Sequence, residues 1–223
     1  AYASRAAEYA RRALAVEPEN FDAQSLLFKA MRGVLPDWCY SNHARLAENY
    51  RSFVDEHPEY RQGYLWLLDA LLPDRRLEEA RAVLAALRAR FDCYQADYYE
   101  GWLRYCEGDF AGAERVWAEM TEKHADNWYA WSCRGDAYAH RAMYGEAAAM
   151  YREAEKRQTA PRLADNEDSI AQLCRMQGDW QGAIDAYRRV LEILREDWKL
   201  TEGETVRGYE ENIAECRRKL ETS

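Results

Sequence analysis

Glycine and proline are scarce, with 11 and 5 residues among 223. A strand-rich fold needs those residues at its many turns, so an all-β architecture lacks its turn chemistry. Long stretches of Ala, Leu, Glu and Arg supply strong helix formers instead, and the chain reads as all-helical. No apolar run approaches the ~20 residues needed to cross a bilayer. The longest candidate, Tyr64 to Leu72, is broken by Asp69, and mean hydropathy is −0.71, so no membrane interaction is expected. Cations are also in deficit: 31 Lys and Arg against 40 Asp and Glu leave a formal charge of −9. A nucleic-acid binder needs a basic face to displace counterions, and this segment offers none. The six cysteines, Cys39, Cys93, Cys106, Cys133, Cys174 and Cys216, form no CxxC pair. In a chain of this length they read as reduced, half-buried small hydrophobes. No basic-then-apolar leader opens the sequence, so the cytoplasm is the expected location, although Ala1 in place of Met leaves the natural start absent.

What is abundant is repetition. An apolar triplet recurs as Ala6/Ala10/Ala13, Leu46/Tyr50/Phe53, Ala80/Leu84/Leu87, Ala113/Trp117/Met120, Ala147/Tyr151/Ala154 and Ala183/Tyr187/Val190. Its first residues stand 40, 34, 33, 34 and 36 positions apart. Offsets of four and seven place the residues of a triplet on one helical face, so each marks the buried stripe of an amphipathic helix. Three residues earlier stands Leu77, Phe110, Tyr144 or Trp180. In two copies Gly-Asp precedes it, as Gly108-Asp109 and Gly178-Asp179. A glycine suited to ending one helix and an aspartate suited to capping the next predict a tight helix-turn-helix. Twelve residues before the triplet lies another helix, clearest in Trp131/Gly135/Tyr138 and Tyr64/Leu67/Leu68/Leu71, with Gly101 and Gly135 placed where a missing side chain would admit the partner helix.

On these residues the chain resembles the tetratricopeptide repeat family. The best copy runs Trp131, Gly135, Tyr138, Tyr144, Ala147, Tyr151, Ala154, with Arg134 in place of a leucine and the closing proline delayed to Pro161. Pro18 and Pro58 fall where the family closes a repeat. The resemblance implies a right-handed superhelical α-solenoid of antiparallel helix pairs, about six repeats plus a C-terminal capping helix, forming a single repeat domain over residues 1–223. Helices are expected near 2–16, 20–33, 40–56, 60–72, 76–91, 93–106, 110–124, 126–141, 144–157, 163–177, 180–198 and 203–220, which leaves Pro18, Pro36, Pro58, Pro73 and Pro161 between helices or at their ends. Val34 to Asn42 and Thr159 to Asp165 read as loop insertions. Thr201 and Glu204 have capping-box spacing, and Val206, Tyr209, Ile213, Cys216 and Leu220 give the last helix one apolar stripe, as the solvating cap of a solenoid requires. The chain opens on the second helix of a repeat, from which a fragment of a longer protein is inferred.

Catalytic signatures are missing. There is no GxxxxGK[ST], GxGxxG, HExxH or GxSxG, so neither an enzyme nor a cofactor is expected. The histidines His43, His57, His124 and His140 have no His or Cys partner at three or four residues, and no metal site is expected. His43 reads as a half-buried core residue, and His57 and His124 as solvated contacts at helix ends.

The first helix of each pair lines the concave face in the family, which implies a peptide-binding surface of Tyr98, Trp102 and Tyr105 in the fourth repeat and Tyr129, Ser132, Asp136 and His140 in the fifth. In the sixth repeat it presents Asp168, Gln172 and Arg175. Tyr and Trp are over-represented among binding hot spots. The family's Lys/Asn clamp for a chaperone tail is not matched, since Tyr98, Trp102, Ser132 and Asp136 occupy the corresponding places. A second arrangement is open for the fourth repeat. Asp97, Glu100 and Arg104 stand where core residues should, whereas Ala96, Tyr99, Leu103 and Cys106 form an alternative stripe, so the aromatics face either the groove or the core. The function expected is a noncatalytic interaction module or scaffold that takes a protein or peptide partner on its concave face. The alternative is the peptide-responsive sensor of a bacterial regulator whose DNA-binding domain lies upstream.

Overall fold

Each helix of this chain is amphipathic, and the structure follows from where each can bury its apolar stripe. The computed structural model describes residues 2–18, 20, 23, 24, 26–28 and 43–222, with the side chains of 2–4 and 43–45 excepted. Among them eleven helices are delimited and no strand occurs: α1 (Tyr2–Val16), α2 (His43–Glu56), α3 (Arg61–Leu71), α4 (Leu77–Arg90), α5 (Tyr94–Glu107), α6 (Phe110–Lys123), α7 (Trp128–His140), α8 (Tyr144–Glu155), α9 (Asp165–Gln177), α10 (Trp180–Glu196) and α11 (Glu204–Glu221). Their ends fall within about three residues of the expected ones. Residues 23, 24 and 26–28 of the expected 20–33 helix are helical, and the insertion at Val34 to Asn42, with Pro36 and Cys39, lies outside the described residues, as does the side chain of His43. No helix among the described residues is long and apolar enough to cross a membrane.

The chain divides into two compact units, Ala1–Trp117 and Ala118–Ser223. In the first, α2 packs on α3, α3 on α4 and α4 on α5; in the second, α7 packs on α8, α8 on α9, α9 on α10 and α10 on α11. Within each unit these consecutive helices are therefore neighbours in space. Five of the six triplets are buried throughout. The first differs: α1 buries Ala7, Ala10 and Leu14, while Ala13 is exposed, because the larger Leu14 takes the inward position and turns the stripe by one residue.

Four turns between paired helices share one geometry. At Gly108 and Gly178 the backbone is left-handed, with φ of 91° and 75°, and the same conformation recurs at Arg75 and Ala142, with φ of 58° and 57°. In each turn the next amide reaches back to a helix carbonyl: Asp109 N to Arg104 O and Asp179 N to Cys174 O at 2.9 Å, Arg76 N to Leu71 O at 3.1 Å and Met143 N to Tyr138 O at 3.0 Å. This is the Schellman closure, which satisfies carbonyls that a helix end leaves orphaned. The expected aspartate caps are present, with Asp109 accepting from Gly112 N at 2.8 Å and Asp179 from Gly182 N at 2.9 Å.

Two local expectations are corrected. Thr201 does not cap the last helix, which starts at Glu204 after Gly203 at φ 113° without a side-chain cap. Its stripe is buried at Val206, Ile213 and Cys216, but Leu220 is exposed in the final turn. His57 is not a solvated cap: its ring packs 5.1 Å from Phe53 and stacks on Tyr60 at 5.4 Å, and its Nε2 is buried without a hydrogen-bond partner among the described residues.

The left-handed conformation costs an L-residue roughly 1–2 kcal/mol that glycine escapes, partly offset by glycine's larger unfolded-state entropy. Ala142→Gly should therefore stabilise the chain by up to ~1 kcal/mol, whereas Gly178→Ala should destabilise it by about as much. Equilibrium urea unfolding of both variants checks the pair of opposite signs.

Candidate binding surfaces

In the first unit, helix α5 decides where the aromatic residues go. Its buried stripe is Ala96, Tyr99 and Leu103, with Cys106 half-buried, so the alternative stripe is the one that faces the core. Asp97, Glu100 and Arg104 are half-buried outside that stripe, in ion pairs from Arg88 to Asp97 at 3.0 Å and from Arg104 to Glu100 at 2.8 Å. Gly101 sits against the indole of Trp117, so close that a Cβ there would lie 2.1 Å from Nε1. That Nε1 donates to the carbonyl of Tyr98 at 3.0 Å.

Tyr98, Trp102 and Tyr105 then occupy the edge between core and solvent, each half-buried. Trp102 meets Tyr98 at 6.3 Å, Tyr105 at 5.5 Å and Trp117 at 5.2 Å, all edge-on, and Tyr105 continues to Phe110 at 5.0 Å. Edge-to-face rings at such separations hold one another in place. The row is thus partly packed and partly bare. On α3, Asp69 accepts from Tyr99 Oη at 2.6 Å, and loss of hydration among the surrounding groups pushes its carboxyl up to about 6, against the opposing effect of that hydrogen bond.

In the second unit, α7 carries Tyr129, Ser132, Asp136 and His140. Tyr129 and His140 are exposed, Ser132 and Asp136 half-buried. Asn127 caps the helix by accepting from Tyr129 N at 3.0 Å. Gly135 faces the ring of Tyr151, whose Cε1 a Cβ would meet at 2.6 Å. This seating brings Tyr151 Oη to Asp136, to which it donates at 2.7 Å. Burial raises the Asp136 carboxyl, and the same hydrogen bond opposes that rise. Ser132 Oγ donates to Asn166 Oδ1 at 2.8 Å, tying α7 to α9.

On α9, Arg175 donates to Tyr187 Oη at 3.4 Å and to Asn212 Oδ1 at 3.3 Å, and pairs with Glu215 at 3.1 Å. Gln172 also donates to Tyr187 Oη, at 3.1 Å. The last helix is therefore more than a solvated cap. Its Asn212 and Glu215 engage α9, and its Tyr209 is pushed up to about 12, by burial first and then by the nearby Asp168 carboxylate. The signal for this was present in the sequence, because Tyr209 stands in the apolar stripe as its one residue with a polar tip. Among the described residues no group of three or more His, Cys, Asp or Glu is arranged to hold a metal ion.

The comparisons with known proteins agree with this geometry. The family model for the tetratricopeptide repeat matches residues 98–162. Over those residues the chain is similar to the tetratricopeptide repeat family. Those residues comprise the aromatic row of α5 and the whole of α7 and α8. A tetratricopeptide repeat protein from Parabacteroides merdae has a similar fold, with a TM-score of 0.59 at 12% identity over 97% of this chain and 78% of its own. A chain of the APC/C heterotetramer Cut9–Hcn1 matches with a TM-score of 0.50 at 15% identity, over 96% of this chain and 39% of its own. At these identities the likeness is one of fold. No curated protein sequence matches the chain.

The two tryptophans of the fourth repeat separate packing from exposure. Trp117 is fully buried, so Trp117→Ala should cost ~3–5 kcal/mol, and Trp102→Ala, at the edge, less than half as much. Thermal melts of the two variants measure the difference; equal losses would place Trp102 in the core.

Proposed function

We propose that this chain is a noncatalytic interaction module that holds a segment of another protein against the exposed side of its first helices. The observation that carries this reading is the aromatic row Tyr98, Trp102 and Tyr105, fixed edge-on and only half-covered. Rings immobilised before binding lose little entropy on contact, which makes them effective anchors. In the second unit Tyr129, Ser132, Asp136, His140 and Arg175 extend the reading with hydrogen-bonding groups. Asp136 and Arg175 are already oriented by Tyr151 and by Glu215 and Asn212, so a partner would meet preset groups. No nucleotide loop, nucleophile elbow or metal-ligand spacing competes with this reading in the sequence.

A partner cross-linked to the chain in its native cell and identified by mass spectrometry provides the test. Its affinity should fall more than about fivefold on Trp102→Ala, the ~1 kcal/mol loss typical of an anchor. Exposed second-helix changes such as Arg115→Ala or Arg188→Ala should leave it unchanged. The converse pattern would overturn the assignment of the first-helix face.

A further inference from the structure

Resting on the interaction-module reading, the second unit says more about the chemistry of its partner. Between α9 and α11 lies an open groove of about 400 Å³, lined by Asp168, Glu204, Thr205, Gly208, Tyr209 and Asn212. Its walls carry two carboxylates, a phenol ring and no cation. Asp165 stands close enough to raise the pKa of both Asp168 and Tyr209, and together with Asp136 it acts on the exposed Tyr129.

The charges on this face are undercompensated. None of Asp165, Asp168 and Glu204 is paired with a Lys or Arg side chain among the described residues. Arg175 on α9 is paired with Glu215, and Arg189 on α10 with Glu167. The three carboxylates stand in the first turns of two helices, whose N-termini each supply about half a positive charge. Within the groove itself the lining is therefore acidic, with the ring of Tyr209 beside Asp168 and Glu204. A cationic side chain fits this setting twice over, through ion pairing and over a ring face. A bare divalent ion does not, because no described carboxylates converge to hold one.

We propose that this face takes a basic segment, an extended peptide carrying Lys or Arg, with one cationic side chain in the groove between Asp168 and Glu204. The probes are fluorescein-labelled decapeptides of alternating Ala and Lys or alternating Ala and Glu, titrated by anisotropy against the full chain at physiological salt. The Lys peptide should bind at least tenfold tighter. Asp165→Asn/Asp168→Asn/Glu204→Gln should weaken it at least tenfold, while Glu192→Gln/Glu210→Gln/Glu221→Gln, which removes the same charge from exposed positions elsewhere, should change it less than twofold. Thr205→Arg, which places a cation in the groove without removing a native contact, should block binding even if the triple variant is destabilised. Equal losses in the two triple variants would mean attraction to net charge alone and would overturn the proposal. Absence of Lys-peptide binding would overturn it too. Preference for the Glu peptide would overturn the charge assignment while leaving the interaction-module reading intact, since that reading is tested separately through Trp102.

Discussion

The structure depends on one packing constraint, a ring seated where the facing helix has no side chain. Trp117 lies on Gly101 and Tyr151 on Gly135, with contacts that no Cβ would allow. In the sixth repeat Ala171 and Tyr187 occupy the corresponding positions and are both buried in one cluster. In the third repeat Leu68 and Leu84 divide the same space more evenly. Large against small brings the two helices together in the fourth, fifth and sixth repeats, and it also delivers polar atoms to defined places. The Trp117 indole reaches the Tyr98 carbonyl, and the Tyr151 hydroxyl reaches Asp136. The groups that are half-exposed on the first helices are therefore oriented from behind by the core of their own repeat.

The second constraint is the turn. A left-handed residue five positions before the start of each triplet redirects the chain in four successive repeats, whether or not glycine stands there. At Arg75 and Ala142 the conformational cost is accepted, which means that packing of the flanking helices outweighs it. Repeats of this kind are stabilised by their own helices and those of their immediate neighbours, so the register of each turn matters more than its chemistry.

Most of the fold was legible in the sequence because the helical stripes are long and regular. Five triplets are buried as their spacing predicts, and the Gly-Asp turns are visible as such. The turns at Arg75 and Ala142 were not, since no residue there advertises positive φ. The first triplet misled because alanines at 6, 7, 10 and 13 leave the stripe undetermined until Leu14 chooses its side. Thr201 misled because a spacing of three to Glu204 occurs without a cap when Gly203 turns the chain. For the candidate surfaces, periodicity located the first helices but not their rotation. On α5 two stripes competed, and the seating of Trp117 on Gly101, a contact between helices, selected one. The contribution of Tyr209 and Glu204 to the groove depends on how α11 packs on α10 and where it lies against α9, which spacing within one helix does not encode.

The central claim, that the fourth and fifth repeats are each held by their own ring-on-glycine contact, is tested most directly by hydrogen exchange on Gly135→Leu. The substitution places a branched side chain where Tyr151 lies, at a cost of ~1–3 kcal/mol. Amide protection should fall most in α7, α8 and the adjoining α9, and stay unchanged in α2 to α4. A uniform loss of protection throughout residues 43–222 would contradict the account and indicate a single cooperative core.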